Sequence, residues 1–557
     1  MSEKKSDAGR ASYNADIPNR KDEDFHDATA PMASHHSQIE SQHNNDASST
    51  DDSVDRVIKE EGIEIHDWDG PNDPENPFNF TKTRKWVITL TACMISITTG
   101  VPAGSYGSGN DGMGRDFHVS NDPFPHLSWG TVSWNMGAAT LPLVIVPLTE
   151  SFGRMPGYFI SYAILIAWMF GFAFAQNYAT MVVTRGLGGG FSSACNIIIS
   201  GTISDIWKGE RDRSMPTAWY VLSSCIGIAL GPFVGSMIQA VNQKHPWRWI
   251  WYVQIIYNAG ILPIYWFLLC ETRGDIILKK RAKKIRKETG RKVYTRAELE
   301  NTSVSEIFTV SVKRPTAMLL TEPVVSFFTL WISFAWGILF LFFSSVVLTF
   351  TANYNMNTVQ TGLIQLAISI GSTIMFLINP LADRLYFRSA KDNKVNPGQP
   401  LPEARLYTSI PGSVLFAAGL FWYGWSSKAA THWIVPTLGI GCTGMGIFSI
   451  YMAVANYLED SYEKYASSAL SAASFGRNLF GAFLPLASNA LFNNLGYGWA
   501  GSLLGFIGLA LSLVPCVLVW KGPAIRARSP FMREAMFQHS AEAQEESHHR
   551  AVEQGTV

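Results

Sequence analysis

The sequence predicts an all-α membrane protein in which twelve transmembrane helices form two pseudo-symmetric six-helix bundles. Of its 557 residues, 47% are hydrophobic and only 16% are charged, whereas charged residues make up about 25% of soluble domains. Apolar runs of about 20 residues recur from residue 85 to residue 521, and a run of that length crosses a bilayer as a helix. A basic stretch at 271–316 lies midway and divides the runs six and six.

The apolar runs define the predicted spans. They lie at residues 85–107, 127–149, 156–175, 180–206, 216–241, 249–270, 319–345, 358–382, 405–425, 432–457, 467–492 and 499–520. Loops after even-numbered spans hold 23 Lys and Arg residues, and loops after odd-numbered spans hold four. Because basic loops stay in the cytoplasm, the sequence predicts that both termini and the basic stretch are cytoplasmic.

Polar segments flank and separate the two bundles. The first 80 residues carry 19 acidic and 7 basic residues, a composition too polar to form a core. The midway stretch is typical of a solvated amphipathic linker beside anionic lipid. We therefore predict a disordered cytoplasmic tail at 1–80, a first bundle at 81–272, a basic linker at 273–316, a second bundle at 317–525 and a second disordered tail at 526–557.

Predicted span 5 contains three glycines at four-residue intervals. Gly227, Gly231 and Gly235 share one helix face, to which a neighbouring backbone can approach closely. Pro232 removes one intrahelical hydrogen bond and bends the helix. The pattern indicates either an ordinary packing face or a bend at a seam between two moving bundles.

An internal repeat marks the ends of predicted spans 2 and 8. Pro147–Glu150 and Pro380–Asp383 both have the pattern Pro-Leu-x-acid, and they are followed by Arg154 and Arg384. Glu150 and Arg154 are four residues apart and share a helix face or a tight turn. A solvated ion pair at the membrane surface is the simplest interpretation.

Two arginines lie inside predicted spans. A guanidinium costs about 2.5–3.5 kcal/mol in the apolar layer on insertion scales, so it faces the bundle interior or reaches the interface. For Arg185, both an interfacial position and a cavity or proton-transfer role stay open. Arg477 and the adjacent Asn478 are likewise candidates for a cavity or proton-transfer role. Arg477 also needs an acidic or carbonyl partner, and Glu459 and Asp460 are candidates for a structural or a gating pair.

Polar and aromatic residues inside spans are the candidates for a substrate cavity. Hydrocarbon cannot satisfy a polar amide, so such groups turn inward, although aromatic residues also gather at membrane interfaces. A cavity of rings with few charges suits aromatic or amphipathic compounds. The candidates are Asn135, Trp219, Asn258, Trp336, Gln365, Tyr451 and Asn456.

Other classes of function lack support in the sequence. The net charge is zero, which gives no electrostatic basis for binding nucleic acid. There is no phosphate-binding Gly-x-x-x-x-Gly-Lys-Ser/Thr loop, and the six cysteines have no metal-binding spacing. We therefore expect neither an enzyme nor a bound cofactor or metal.

Several of these stretches together resemble one family. Trp68–Pro77 is similar to the segment before the first helix of fungal twelve-span drug:proton antiporters of the major facilitator superfamily. Gly227–Gly235, Pro147–Pro156 and Asn456–Tyr462 are similar to further motifs of that family. Arg185 and Arg477 stand in partial matches to its fourth- and eleventh-helix patterns.

The resemblance implies a monomeric exporter of small organic compounds, which uses the proton gradient and alternating access rather than a cofactor. The cargo would be a drug, a polyamine, a secondary metabolite or an organic acid. The transporter would lie in the plasma membrane or in the vacuolar membrane. In the family, an acid and an arginine after span 2 pin the two halves together. That role would fall here on Glu150, Gly153, Arg154, Asp383, Arg384 and Asp460.

Three alternatives stay open. A proton-coupled importer has the same architecture. An uncoupled facilitator fits the lack of Asp or Glu deep in any predicted span, because a proton antiporter needs a group that exchanges a proton in each cycle. A membrane receptor or scaffold would carry a large folded soluble domain, which the short polar tails do not suggest.

Overall fold

The computed structural model describes residue 58 and residues 62–121, 124–241, 246–299, 304–391, 393 and 400–534. Long helices overlap each of the predicted spans. In chain order they are α1 (Lys82–Ser105), α2 (Trp129–Thr140 and Pro142–Phe152), α3 (Arg154–Ala173), α4 (Tyr178–Ile206), α5 (Glu210–Val241), α6 (Pro246–Leu268), α7 (Pro323–Tyr354), α8 (Thr358–Arg388), α9 (Ser409–Ser426), α10 (Ile434–Tyr462), α11 (Ala466–Phe483) and α12 (Ser488–Leu511 and Leu513–Arg528). The shorter elements include the helices Asn110–Phe117, Gly274–Thr289, Arg296–Leu299 and Val304–Thr321, and the strands Glu64–Ile65 and Val293–Tyr294.

The helices have the length and composition of membrane spans. In the described part of the chain, six helical runs are long and apolar enough to cross a membrane, or seven if the two pieces of α2, which meet at 41°, form one span. The last run, Ile434–Arg528, is interrupted at Gly496, whose φ of 73° favours glycine. That break falls between predicted spans 11 and 12. The all-α membrane fold is confirmed, and the number of twelve crossings stays a prediction.

The helices pack as two halves with the same internal arrangement. In the first half, α1 packs against α5, α2 and α3 pack against α4, and α3 packs against α6. In the second half, α7 packs against α11, α8 and α9 pack against α10, and α9 packs against α12. The halves meet along two seams, α2 with α11 and α5 with α8. This arrangement agrees with the predicted pseudo-symmetry.

The glycine face of α5 packs against α1 within the first half. A Cβ atom at Gly227 would lie 2.8 Å from the Cα of Ile97, and one at Gly231 would lie 2.6 Å from the Cα of Gly104. Gly235 is similarly close to α1. The interpretation of this face as a seam between two moving bundles is therefore wrong, because it joins two helices of the same half.

Other residues of α5 form the seam with the second half. The rings of Trp219 and Phe376 meet edge to face with centroids 4.9 Å apart. Near the start of α8, a Cβ at Gly362 would lie 3.1 Å from the carbonyl oxygen of Pro232. The same oxygen accepts a hydrogen bond of 3.1 Å from the Ser108 hydroxyl of the first half. Pro232 thus lies where the two halves meet, within a continuous helix.

The segment before α1 is docked on the linker. Strand Glu64–Ile65 pairs in parallel with strand Val293–Tyr294. The guanidinium of Arg281, in the linker helix Gly274–Thr289, donates two hydrogen bonds of 2.6 and 2.8 Å to the buried carboxylate of Asp73. The Trp68–Pro77 motif therefore has a structural role, since it holds the chain before α1 against the linker.

The prediction that both tails are disordered is wrong for the part of each tail that adjoins the bundle. Residues 62–80 are ordered because Asp73 and its neighbours find partners in the linker. Past α12, the Ser529 hydroxyl donates a 2.8 Å hydrogen bond to the buried Glu322, and Met532 is also buried. Residues 1–57, 59–61 and 535–557 lie outside the described residues. We refer to the end of the bundle that holds the linker and these two segments as the linker side.

Replacing Asp73 with asparagine is expected to release the segment before α1. The hydrogen bonds from Arg281 hold the pKa of Asp73 well below its usual range. A carboxylate with a lowered pKa contributes stability above its unfolded-state pKa and loses it as the pH falls through the folded-state pKa. At neutral pH, the segment before α1 in the Asn variant should therefore be as weakly held on the linker as the wild-type segment is in strong acid, where Asp73 is protonated. Hydrogen exchange at the amides of Glu64 and His66, which bond to the linker strand, should become several-fold faster.

The control for this prediction is Asp69→Asn. Asp69 also faces Arg281, but its side chain is 78% exposed and 3.5 Å away, so its loss should change exchange little. Equal exchange rates in the wild type and the Asp73→Asn variant would contradict the prediction.

Candidate functional site

A narrow cavity lies between the two halves. Its volume is about 60 Å³, and it is lined by α1, α2, α4 and α5 from the first half and by α7, α10 and α11 from the second. Its walls combine aromatic rings, small polar groups and one cation. The rings are Trp134, Tyr220, Trp336, Phe340 and Tyr451, the polar groups are Ser96, Asn135, Ser192, Ser193, Asn196, Ser224 and Asn478, and the cation is Arg477.

The structure brings together five of the residues singled out in the sequence and leaves four cavity candidates outside. Asn135, Trp336, Tyr451, Arg477 and Asn478 line the cavity. Of the others, Trp219 packs on Phe376, Asn258 is hydrogen-bonded to Tyr162, Gln365 is buried elsewhere, and Asn456 lines a separate cavity of about 30 Å³ inside the second half. For these four, the cavity prediction is wrong. A polar or aromatic residue inside a span can also contact a neighbouring helix, as Asn258 and Trp219 do, or be buried with an atom left unpartnered, as the Oε1 of Gln365 is.

The polar wall from α1, α4 and α5 was missed. Ser96 donates a 2.6 Å hydrogen bond to the amide oxygen of Asn196 and lies 3.0 Å from the Ser224 hydroxyl. Asn196 also donates to Thr99 at 3.2 Å. Asn196 is an amide inside a span, which is the signal that selected Asn135. The serines gave no such signal, because a serine in a span can also bond to its own helix.

Arg477 has an environment unlike that of the buried Arg154, Arg185 and Arg405. Its guanidinium carbon lies 4.5 Å from the centre of the Trp336 ring and 4.8 Å from that of Tyr451. The Ser474 hydroxyl lies 3.5 Å from its guanidinium, the Tyr451 side chain is a second polar neighbour, and its Nε is buried without a partner. The prediction that Glu459 or Asp460 pairs with Arg477 is wrong, since those carboxylates bind Arg213 and Arg405.

Arg185 is a structural clamp outside the cavity lining. It is 2% exposed, and its guanidinium donates to the carbonyl oxygens of Gly130, Pro102 and Ala103 at 3.0–3.1 Å. The ring of Tyr106 lies 4.4 Å away. Its contacts join α4 to α1 and α2. Arg185 therefore lies neither at the membrane interface nor in the cavity lining, the two positions that the sequence left open.

Arg154 belongs to a polar cluster confined to the first half. Its Nε lies 3.0 Å from Asp205 at the end of α4, and its backbone N–H donates to Glu271 after α6 at 2.9 Å. Gly153, with a φ of 107°, allows the sharp turn that brings Glu271 close. Glu150 is exposed. In this structure, the predicted bridge between the halves through Glu150 and Arg154 is therefore wrong.

One group of polar contacts that join the halves lies at the linker side of α5, apart from the 3.3 Å hydrogen bond that Asn478 of α11 donates to the Ala138 carbonyl of α2. The contacts at the linker side connect the first turns of α5 to the ends of α8 and α10. They are Ser214 to Asp383 at 2.6 Å, Tyr386 to Glu210 at 2.6 Å, and Arg213 to Glu459 at 3.2 Å.

Arg405 supports these contacts from within the second half. Its Nε lies 2.7 Å from Asp460, and its guanidinium lies 3.6 Å from both the Asp383 carboxylate and the Tyr386 ring centre. Arg405 lies just before the third helix of its half, and Asp460 lies near the end of the fourth. In the first half, Arg154 begins the third helix and Asp205 lies near the end of the fourth. Arg384 instead lines a basic cleft of about 640 Å³ beside this network.

Known proteins are similar to this chain in sequence and in architecture. A family model described as the Major Facilitator Superfamily matches residues 88–483. The chain belongs to the Major Facilitator Superfamily. It is 34% identical over 484 residues to the MFS-type transporter penM of Penicillium rubens, covering 85% of this chain and 92% of penM. It is 30% identical over 482 residues to the efflux pump radE of Floropilus chiversii, covering 86% and 88%.

The solved structures agree on the fold of this superfamily. The proton:xylose symporter XylE superposes with a TM-score of 0.58 at 16% identity, covering 79% of this chain and 96% of XylE. The protein is therefore an integral membrane transporter of the Major Facilitator Superfamily and not an enzyme. Its cavity of about 60 Å³ is far smaller than the roughly 300–1,000 Å³ of pockets that hold drug-sized ligands. The halves are thus closely packed around this cavity.

Proposed function

We propose that this transporter exports small organic compounds from the cytoplasm by alternating access, with inward proton flow as the driving force. The observation that carries the proposal is the cavity between the halves, which both halves line and which polar contacts of α5 with α8 and α10 cover on the linker side. Hydrogen bonds and ion pairs between two packed halves can break and reform as the halves rock about a central site.

One observation supports the orientation in the membrane, and a second supports the direction of transport. The uneven distribution of Lys and Arg between the loops favours a cytoplasmic linker side. A relative with 30% identity is named an efflux pump. We propose the plasma membrane as the location, with the vacuolar membrane as the alternative, and a monomer as the working unit.

The proton-exchanging groups in this proposal are the carboxylates of the contacts between the halves. No Asp or Glu is among the described residues that line the cavity. Glu210, Asp383, Glu459 and Asp460 instead gather where α5 meets α8 and α10. Opening the linker side would separate these groups from their partners and expose them to water, which couples their protonation to the conformational change.

An uncoupled facilitator is the second candidate. The observation that favours it is the same lack of a carboxylate in the described cavity lining, because many proton-coupled sites hold such a group beside the substrate. The two candidates differ in whether export needs a proton gradient.

A reversible cross-link across the seam tests alternating access. Ser214 and Asp383 belong to different halves and their side chains meet at 2.6 Å, so cysteines at both positions should be linked by a short thiol reagent. Cross-linking in energised yeast cells should stop export, and reduction should restore it. Each single-cysteine variant, treated in the same way, serves as the matched control. Unchanged export by the cross-linked protein would exclude a cycle that opens this seam.

Export with and without a protonophore, in cells held at equal ATP, tests the coupling. A panel of azoles, polyamines, cationic dyes and aromatic acids defines the cargo. Export that ceases with the protonophore supports antiport, and export that continues supports the facilitator. Accumulation in place of export would reverse the proposed direction.

A further inference from the structure

We propose that Arg477 binds the anionic group of the transported compound, so that the cargo is an aromatic organic anion and not a polyamine or a cationic dye. The proposal rests on the export function above, because that function makes the bound compound the transported one. The site itself is argued from the cavity alone.

The first observation is that no carboxylate in the described part of the chain forms an ion pair with Arg477. Arg154, Arg213 and Arg405 each contact a carboxylate within about 3 Å, and Arg185 is bonded to three backbone carbonyls. Arg477 is the one residue with a formal charge among the described residues that line the cavity. Because an unpaired cation in the membrane interior is costly, an anion that enters the cavity would gain a strong interaction.

The second observation is that a further N–H group in the cavity lacks an acceptor. The Nε of Arg477 and the indole Nε1 of Trp336 are both buried without a partner, and both residues line the cavity. A buried donor left unpaired costs about 1–3 kcal/mol. A carboxylate has two acceptor oxygens, and N–H groups of this kind are the donors that it binds.

The surroundings define the rest of the ligand. The rings of Trp134, Tyr220 and Phe340 line the same cavity as Arg477, and Ser96 and Asn196 add polar groups to its lining. An aromatic body with hydroxyl or carbonyl substituents complements such walls. A cationic ligand does not, because the rings of Trp336 and Tyr451 already face the guanidinium and its charge repels a second cation.

Matched acid and amide pairs test the proposal on the purified full chain in lipid nanodiscs. Binding of benzoate and benzamide, and of 2-naphthoate and 2-naphthamide, is measured by titration calorimetry. We expect at least one acid to bind the wild type about tenfold or more tightly than its amide, as a charge-assisted hydrogen bond implies. An absence of preference for the acid in both pairs would overturn the proposal, and so would competition by millimolar chloride as strong as that by the organic acids.

Variants at position 477 connect the preference to the residue. Arg477→Gln should lose about tenfold or more of the affinity for the acid and keep its affinity for the amide within about twofold. Arg477→Lys, which keeps the charge, should retain part of the preference and covers the case in which the Gln variant does not fold. Arg115→Gln removes an exposed cation outside the cavity and is the matched control. A preference for the acid that survives in Arg477→Gln would place the anion elsewhere.

The same acid and amide pairs distinguish a failure of the anion site from a failure of the proposed export function. Binding that depends on Arg477 without export of any acid from energised cells would refute the export function and leave the anion site intact. Export of amides or cations with no preference for acids would support the export function and refute the anion site.

Discussion

Replacing Gly231 with alanine is expected to destabilise the first half severely. The added Cβ would lie 2.6 Å from the Cα of Gly104 and 2.6 Å from the backbone nitrogen of Ser105, so the backbone of α1 has to move. Forcing extra atoms into a packed core costs about 1–3 kcal/mol or more. We expect a lower melting temperature and a smaller monodisperse fraction of the purified protein in detergent.

Gly260→Ala is the matched control for this prediction. Gly260 also lies within a long helix, α6, but no atom lies within 4 Å of the position that its Cβ would take. Alanine is a better helix former than glycine by about 1 kcal/mol, so this variant should be as stable as the wild type or more stable. If the two variants behaved alike, the close approach of α1 and α5 would be refuted.

Replacing Arg405 with alanine is expected to produce the second large effect. The side chains of Arg405 and Asp460 are 5% and 2% exposed and lie 2.7 Å apart. Removal of the cation leaves a buried carboxylate without its counterion, which costs about 3–5 kcal/mol. The melting temperature should fall strongly. The Arg405→Met and Asp460→Asn double variant should recover part of the loss, because neither charge then remains unpaired.

An exposed ion pair provides the comparison. Arg291 and Glu64 lie 3.4 Å apart with side chains that are 62% and 60% exposed, so Arg291→Ala should change the free energy of unfolding by about 0–1 kcal/mol. An Arg405→Ala variant that melts like Arg291→Ala would show that Asp460 does not depend on Arg405. Export by the Arg405→Ala protein that does fold should be measured as well, because Arg405 also supports the contacts between the halves.

Arg477 illustrates how far sequence reasoning reached into the site. The cost of a guanidinium in a span left an inward-facing and an interfacial position open for this residue, and the structure places it in the cavity lining. The amide rule selected Asn135 and Asn478, which line the same cavity. The partner of Arg477 was predicted wrongly, because Glu459 and Asp460 are near it in sequence but lie at the end of α10. The arginines that do pair with them come from elsewhere in the chain, Arg213 from the start of α5 and Arg405 from the segment before α9.

The glycine motif shows a similar division. Four-residue spacing predicted a face that a neighbouring backbone can approach, and the structure has such a contact. Which neighbour it would be, α1 of the same half or α8 of the other, is not encoded in the spacing. The matching residues Gly100 and Gly104 on α1, which make the approach mutual, became meaningful only when the two helices were seen together.

The sequence by itself determined the all-α membrane fold, its two related halves and its superfamily, because hydropathy, loop charge and local motifs are properties of contiguous residues. The tertiary structure alone decided which charges are paired, which polar groups share the cavity, and that residues 62–80 are ordered on the linker. Ion pairs such as Arg281 with Asp73 and Arg405 with Asp460 join residues 208 and 55 positions apart. Such pairings depend on helix packing, and no local pattern in the chain specifies them.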